Sequence, residues 1–177
     1  MAEGAGRRLS PQARRRQIVA ATIETVAALG YRAATFAKIA EHSGLSSTRL
    51  ISYHFAGREE LMQASVTHVY EQLTAFLTER LAAAAGPRAE LAAYVRGVVA
   101  FVDGHRTEMQ ALSLIFVSFR DASGASRTYD ADSDQRVIGT VEEILRRGQA
   151  EGQFRAFDPF VMGSLVQRSV DGLPFLL

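Results

Sequence analysis

The chain of 177 residues contains no cysteine. That excludes disulfides, thiolate zinc sites, iron–sulfur clusters and a cysteine nucleophile, and it agrees with a reducing cytoplasm. Lysine is nearly absent as well. Lys38 stands alone among 20 basic residues, a skew that reflects GC-rich coding rather than chemistry. Long apolar runs are missing. The longest uncharged apolar stretch, Met109 to Phe119, is far short of the roughly 20 residues that cross a bilayer. The charged N-terminus is not followed by an apolar segment, so no secretory signal is expected. No segment alternates convincingly as a strand would, and no internal repeat is visible. What is present is 47% hydrophobic and 22% charged residues, an ordinary soluble globular composition with enough length for one sizeable core.

The net charge of +1 hides an asymmetry. Residues 1–56 hold eight basic residues (Arg7, Arg8, Arg14, Arg15, Arg16, Arg32, Lys38 and Arg49) against three acids (Glu3, Glu24 and Glu41). This third carries +5 and the rest −4. A basic end on an acidic body points to a polyanionic partner at that end.

The periodicities predict an all-α chain of about nine helices. Residues 1–9 are Gly-rich and basic, and are expected to be a disordered arm. Ser10-Pro11 reads as N-cap and first helical residue, and Gly30 as the C-cap of that helix. Thr35 is expected to cap a short second helix that Gly44 ends. Ser46 is expected to cap a third, with Leu45, Leu50 and Phe55 turned inward. Gly57 with Glu60 resembles a capping box that opens a long helix to about Ala85. Gly86-Pro87 starts another, to about Asp103. An apolar helix is expected over 106–120, a polar loop over 121–132, a helix from about Ser133 to Ala150, and a final one from Asp158-Pro159.

Three short helices with a Gly-containing joint form a helix-turn-helix. Its third helix enters the major groove N-terminus first and needs small polar donors there. Ser46, Ser47, Thr48 and Arg49 have that character, and the Arg49 fork matches guanine O6 and N7. Tyr53, His54 and Arg58 lie where such a helix meets phosphates, and Thr35 and Lys38 open the preceding helix, whose free amides suit a phosphate. Alternatives stay open at three of these positions. His54 is either a phosphate contact or satisfied by backbone, Tyr53 contacts phosphate or packs on the first helix, and Ser46 is a cap or a contact.

Residues 11–61 resemble the DNA-binding domain of the TetR family of bacterial transcriptional regulators. The resemblance is carried by Arg15, Ile18 and Ala21, by Gly30-Tyr31, and by Thr35, Ile39 and Ala40. It continues in Ser43 to Ser46, Tyr53 to Phe55 and Arg58 to Leu61. One departure concerns length: twelve residues run from Gly44 to Phe55, where common members have eleven, so Ile51-Ser52 stands in place of one tyrosine. The resemblance implies three segments: the basic arm 1–9, a helix-turn-helix domain over 10–56, and a helical body over 57–177 that binds a small molecule and dimerises through its last two helices. It further implies a cytoplasmic repressor, bound as a homodimer to a palindromic double-stranded operator and released by an unknown effector.

For the effector pocket the candidates are Met62, Tyr94, Phe101, Met109, Leu112, Phe116 and Phe119, for each of which plain core is the alternative. For the dimer interface they are Ile138, Val141, Leu145, Val161, Leu165, Arg168 and Leu173. The apolar end Phe175 to Leu177 is expected to pack into that interface or to continue into a tail. No catalytic, metal-binding or cofactor residue is expected. His42, His54, His68 and His105 are scattered, and the Glu59-Glu60 and Glu142-Glu143 pairs are adjacent on helices and so diverge. The competing expectation is a helical carrier or enzyme whose N-terminal unit is only structural; it leaves the charge asymmetry without a cause.

Overall fold

The computed structural model describes residues 10–45, 47–118 and 131–176, with side chains except at 131–136 and 176. These residues form eight α-helices and a terminal 3-10 turn, with no strand among them. The helices are α1 (Pro11–Leu29), α2 (Phe36–His42), α3 (Arg49–His54), α4 (Arg58–Ala82), α5 (Pro87–Gly104), α6 (Arg106–Ser118), α7 (Ala131–Ala150) and α8 (Pro159–Asp171). The 3-10 turn is Leu173–Leu176.

Several ends follow from the residues placed there. Ser10 Oγ accepts the Ala13 amide at 3.2 Å, and Gly30 (φ 84°) returns its own amide to the Val26 carbonyl. Thr35 caps α2 through the Lys38 amide at 3.3 Å. Asp158 caps α8 through the amides of Phe160 and Val161 at 2.9 and 3.1 Å. Each such cap stabilises its helix by about 1 kcal/mol.

Other ends differ from expectation. α4 stops at Ala82 rather than near Ala85, and α7 starts two residues before Ser133. The expected cap of α3, Ser46, lies outside the described residues, as does most of the polar loop over 121–132. The helix itself begins only at Arg49, and Ser47 Oγ accepts the Arg49 amide at 3.1 Å. Glu60 reaches one residue further back than a capping box would, to the Ala56 amide at 2.7 Å. At the other end, α8 stops at Asp171 with Gly172 as its C-cap.

One apolar core runs the length of the protein. α1 gives it Ile18, Val19, Ile23 and Val26; α4 gives Leu61, Met62, Val66 and Val69; α6 gives Met109, Leu112 and Ile115. The i, i+3, i+4 spacing of these sets places each on one stripe. α1 packs against both α4 and α6, so the N-terminal helices rest directly on the body. α7 and α8 form an antiparallel pair packed on α5. Their close approach uses Gly163, where a Cβ would stand 3.4 Å from the Glu142 amide nitrogen.

Candidate nucleic-acid interface

α3 has six residues, too short to hold its shape alone. It is held by two side chains on its inner face, Ile51 and Phe55, both buried. That register resolves the additional residue at Ile51-Ser52: Ile51 is the core anchor and Ser52 faces out. The helix opens with tight i to i+3 bonds, Leu50 to Ser47 and Ile51 to Thr48, before the regular Phe55-to-Ile51 bond.

The outer face then follows from helical spacing. Arg49, Ser52 and Tyr53 stand at i, i+3 and i+4 and are all exposed, Tyr53 at 81%. Ser47 and Thr48 continue the exposed edge at the N-terminal end. Ser52 joins this face in addition to the candidates named from the sequence, because its spacing from Arg49 places it there once Ile51 is turned inward. Arg49 makes no side-chain hydrogen bond or ion pair with another described residue. A free, forked cation beside small hydroxyls can donate two parallel bonds to one acceptor pair on a base edge.

The other candidates sit in more occupied surroundings. Thr35 is exposed and caps α2. Lys38 pairs with Glu41 at 2.8 Å on the same helix, and this contact holds the Glu41 carboxyl below its ordinary value. Both groups are exposed, so the pair is weak and yields easily to a phosphate. His54 is half-buried with its ring edge-on to Tyr53, 5.0 Å between centroids. Arg58 faces back into the domain: it donates to the Tyr31 carbonyl and lies 4.1 Å over the Tyr31 ring. Arg32, just before α2, is exposed.

The candidates in the body lie where the core alternative places them. Met62, Tyr94, Phe101, Met109 and Leu112 are buried in the shared core, and Phe116 packs against its edge. Phe119 lies outside the described residues. Neither of two cavities in the head and its junction with the body is lined by any of these residues. One is an open groove of about 1030 Å³ between α1 and α4, bordered by Arg15, Arg16, Glu59, Glu60 and His68. The other, of about 250 Å³, is bordered by Glu24, His68, Gln72 and Glu108.

Ile138, Val141 and Leu145 are buried within the protomer, at 7% exposure or less. They pack α7 onto its own chain and are not free to face a second copy. Val161 and Leu165 on α8 are more than half exposed, together with Phe160. Arg168 is exposed and sits 3.0 Å from Asp171, while Leu173 is half-buried. Among the described residues, no group of three or more histidines and carboxylates is placed to hold a metal, and no helix is long and apolar enough to cross a membrane.

A six-residue helix presented outward by a three-helix head, on a helical body, defines a helix-turn-helix transcriptional regulator. Comparison with known proteins supports one family. Residues 18–65 match the model of the bacterial regulatory proteins of the tetR family, and the relatives and solved structures that the chain resembles agree with it. It is 28% identical to the HTH-type transcriptional regulator BetI of Cronobacter sakazakii, over 93% of this chain and 83% of that one. The fold matches AibR, solved with isovaleryl coenzyme A and operator DNA, with a TM-score of 0.73, 18% identity, and coverage of 92% of this chain and 86% of that one. It also matches the fatty acid degradation regulator FadR from Bacillus halodurans, with a TM-score of 0.78, 16% identity, and coverage of 95% and 84%.

Proposed function

We propose that the chain is a ligand-responsive repressor that binds a palindromic operator as a homodimer and leaves it when a small molecule occupies the body. The observation that carries this reading is the outward face of α3, where Arg49 stands free beside Ser47, Thr48, Ser52 and Tyr53. Arg49 reads a guanine, the hydroxyls read or pack against neighbouring bases, and Tyr53 with His54 borders the phosphates. Thr35 and Lys38 meet the backbone on the other side of the groove, Lys38 exchanging Glu41 for a phosphate.

Dimerisation through α8 is supported by the exposed Phe160, Val161 and Leu165, with Arg168 at the margin. A two-fold pairing presents two α3 helices to half-sites about one helical turn, roughly 34–36 Å, or somewhat more apart. Effector binding shifts α4, which begins at the head and runs 25 residues into the body. A change in half-site spacing that costs about 1.4 kcal/mol already lowers affinity tenfold.

The test is selection of double-stranded DNA from a random pool by the purified protein, followed by gel-shift titration. The reading expects enrichment of a palindrome that recurs upstream of the chain's own gene or its neighbours. Equal retention of all sequences would overturn it.

A further inference from the structure

The joint between α3 and α4 is gripped from α1 by a single side chain. Arg15 Nη1 donates to the His54 carbonyl, and Nη2 donates to Glu60 Oε1 at 2.8 Å. The same guanidinium lies 4.0 Å from the centre of the Phe55 ring. Glu60 Oε2 accepts the Ala56 amide at 2.7 Å. His54, Phe55 and Ala56 are thus each held by one element of the Arg15–Glu60 pair. A second arginine secures the opposite side. Arg58, the first residue of α4, donates to the Tyr31 carbonyl and covers the Tyr31 ring, in the turn that leads into α2. A cation meant for DNA points outward, as Arg49 does; Arg15 and Arg58 point at carbonyls and rings of their own chain.

We propose that Arg15, Glu60 and Arg58 are positioning residues, a latch that sets the orientation of α3 against α1 and α4 without touching DNA. Through it a displacement of α4 reaches the reading face. The proposal rests on the DNA-binding reading for its role, and on the joint's own geometry for its existence.

Charge and latch make opposite predictions at Glu60. Removing a negative charge from a DNA-facing domain strengthens binding if the residue acts only through its field. Removing a latch element weakens it. At Arg15 the planar fork serves two acceptors and a ring at once, which a lysine ammonium cannot reproduce. At Arg58 the discriminator is salt. Loss of a phosphate contact lowers the slope of log affinity against log salt by about 0.9, and loss of a positioning contact leaves it unchanged.

The experiment uses the full chain and the operator recovered by selection. Glu60→Ala, Arg15→Lys and Arg58→Gln are titrated over a range of salt, and amide hydrogen exchange of residues 54–57 is followed by NMR without DNA. The latch predicts that each variant loses tenfold or more in specific affinity with the salt slope unchanged, and that the charge-conserving Arg15→Lys leaves the non-specific affinity unchanged. It also predicts faster exchange at Ala56 in Glu60→Ala and Arg15→Lys. Operator binding by Glu60→Ala as tight as wild type or tighter overturns it, and so does an Arg58→Gln slope reduced by about one. Unchanged exchange at Ala56 overturns it as well, even if an arginine variant is too unstable to titrate. A wild-type chain that selects no sequence would sink the DNA-binding reading instead, and the exchange data would still decide the latch.

Discussion

Tyr94 on α5 donates its phenolic hydrogen to Gln167 Oε1 on α8 at 2.5 Å, in the apolar interior of the body. Gln167 passes the contact on, from its amide to Asp171 Oδ1 at 2.5 Å. Both Tyr94 and Gln167 are nearly fully buried. The Tyr94→Phe variant leaves the Gln167 oxygen without its donor, which costs about 1–3 kcal/mol. Thermal or urea unfolding measures it. Burial, and then the Asp171 charge, pushes the Tyr94 hydroxyl up from 10.0 to about 12. A raised folded value means stability that is complete below pH 10 and lost as pH rises through about 12. The loss amounts to about 3 kcal/mol, and it is absent from Tyr94→Phe.

Arg49→Ala is expected to reduce discrimination between operator and unrelated DNA by about 1–3 kcal/mol, because a two-pronged base contact is removed. Stability stays within about 0.5 kcal/mol of wild type, since Arg49 is exposed and its side chain makes no hydrogen bond or ion pair with another described residue. Competition gel shifts with specific and random duplexes measure the ratio; an unchanged ratio removes Arg49 from the reading edge.

Acid acts on the joint between head and body. The Ala56 amide, and then Arg15, hold the Glu60 carboxyl below its ordinary value of 4.5. A lowered folded value contributes stability that is present above pH 4.5 and lost as pH falls through the folded value. The melting-temperature gap between wild type and Glu60→Ala should therefore narrow as pH drops further below 4.5. A gap that stays constant into acid would contradict this.

Leu165→Glu places a charge in the exposed apolar patch of α8, where Leu165 is 56% exposed. The folded protomer should keep its helicity and melt normally, because the side chain is not in its core. In light scattering the variant should run as a monomer, and its affinity for a palindrome should fall to that of a half-site. A variant that remains dimeric would move the interface elsewhere.

The head was largely legible in the sequence because its signals are local. Ser10, Gly30, Thr35 and Gly44 act on amides and dihedrals within four residues, so each end could be placed from neighbours alone. The register of α3 was not legible, since Ile51 is turned inward by packing from other helices and not by anything in Ser47 to Phe55. The roles of Arg15 and Arg58 were hidden for the same reason: their partners lie 39 and 27 residues away. In the body, periodicity showed which residues are apolar but not what covers them. Val141 and Leu165 belong to similar stripes, yet one is fully buried and the other exposed. A stripe facing its own chain and a stripe facing a second copy have the same spacing.

The packing of α1 on α6 bears on how such a regulator can be rebuilt. The chain segment ending near Ala56 carries α3 and its outward face, but its first helix rests on α6, whose Met109, Leu112 and Ile115 belong to the same core. Transplanting residues 10–56 alone onto a different effector domain would expose the side of α1 that rests on α4 and α6. A working chimaera has to bring the matching surface of α6 with the head, or recreate it in the host.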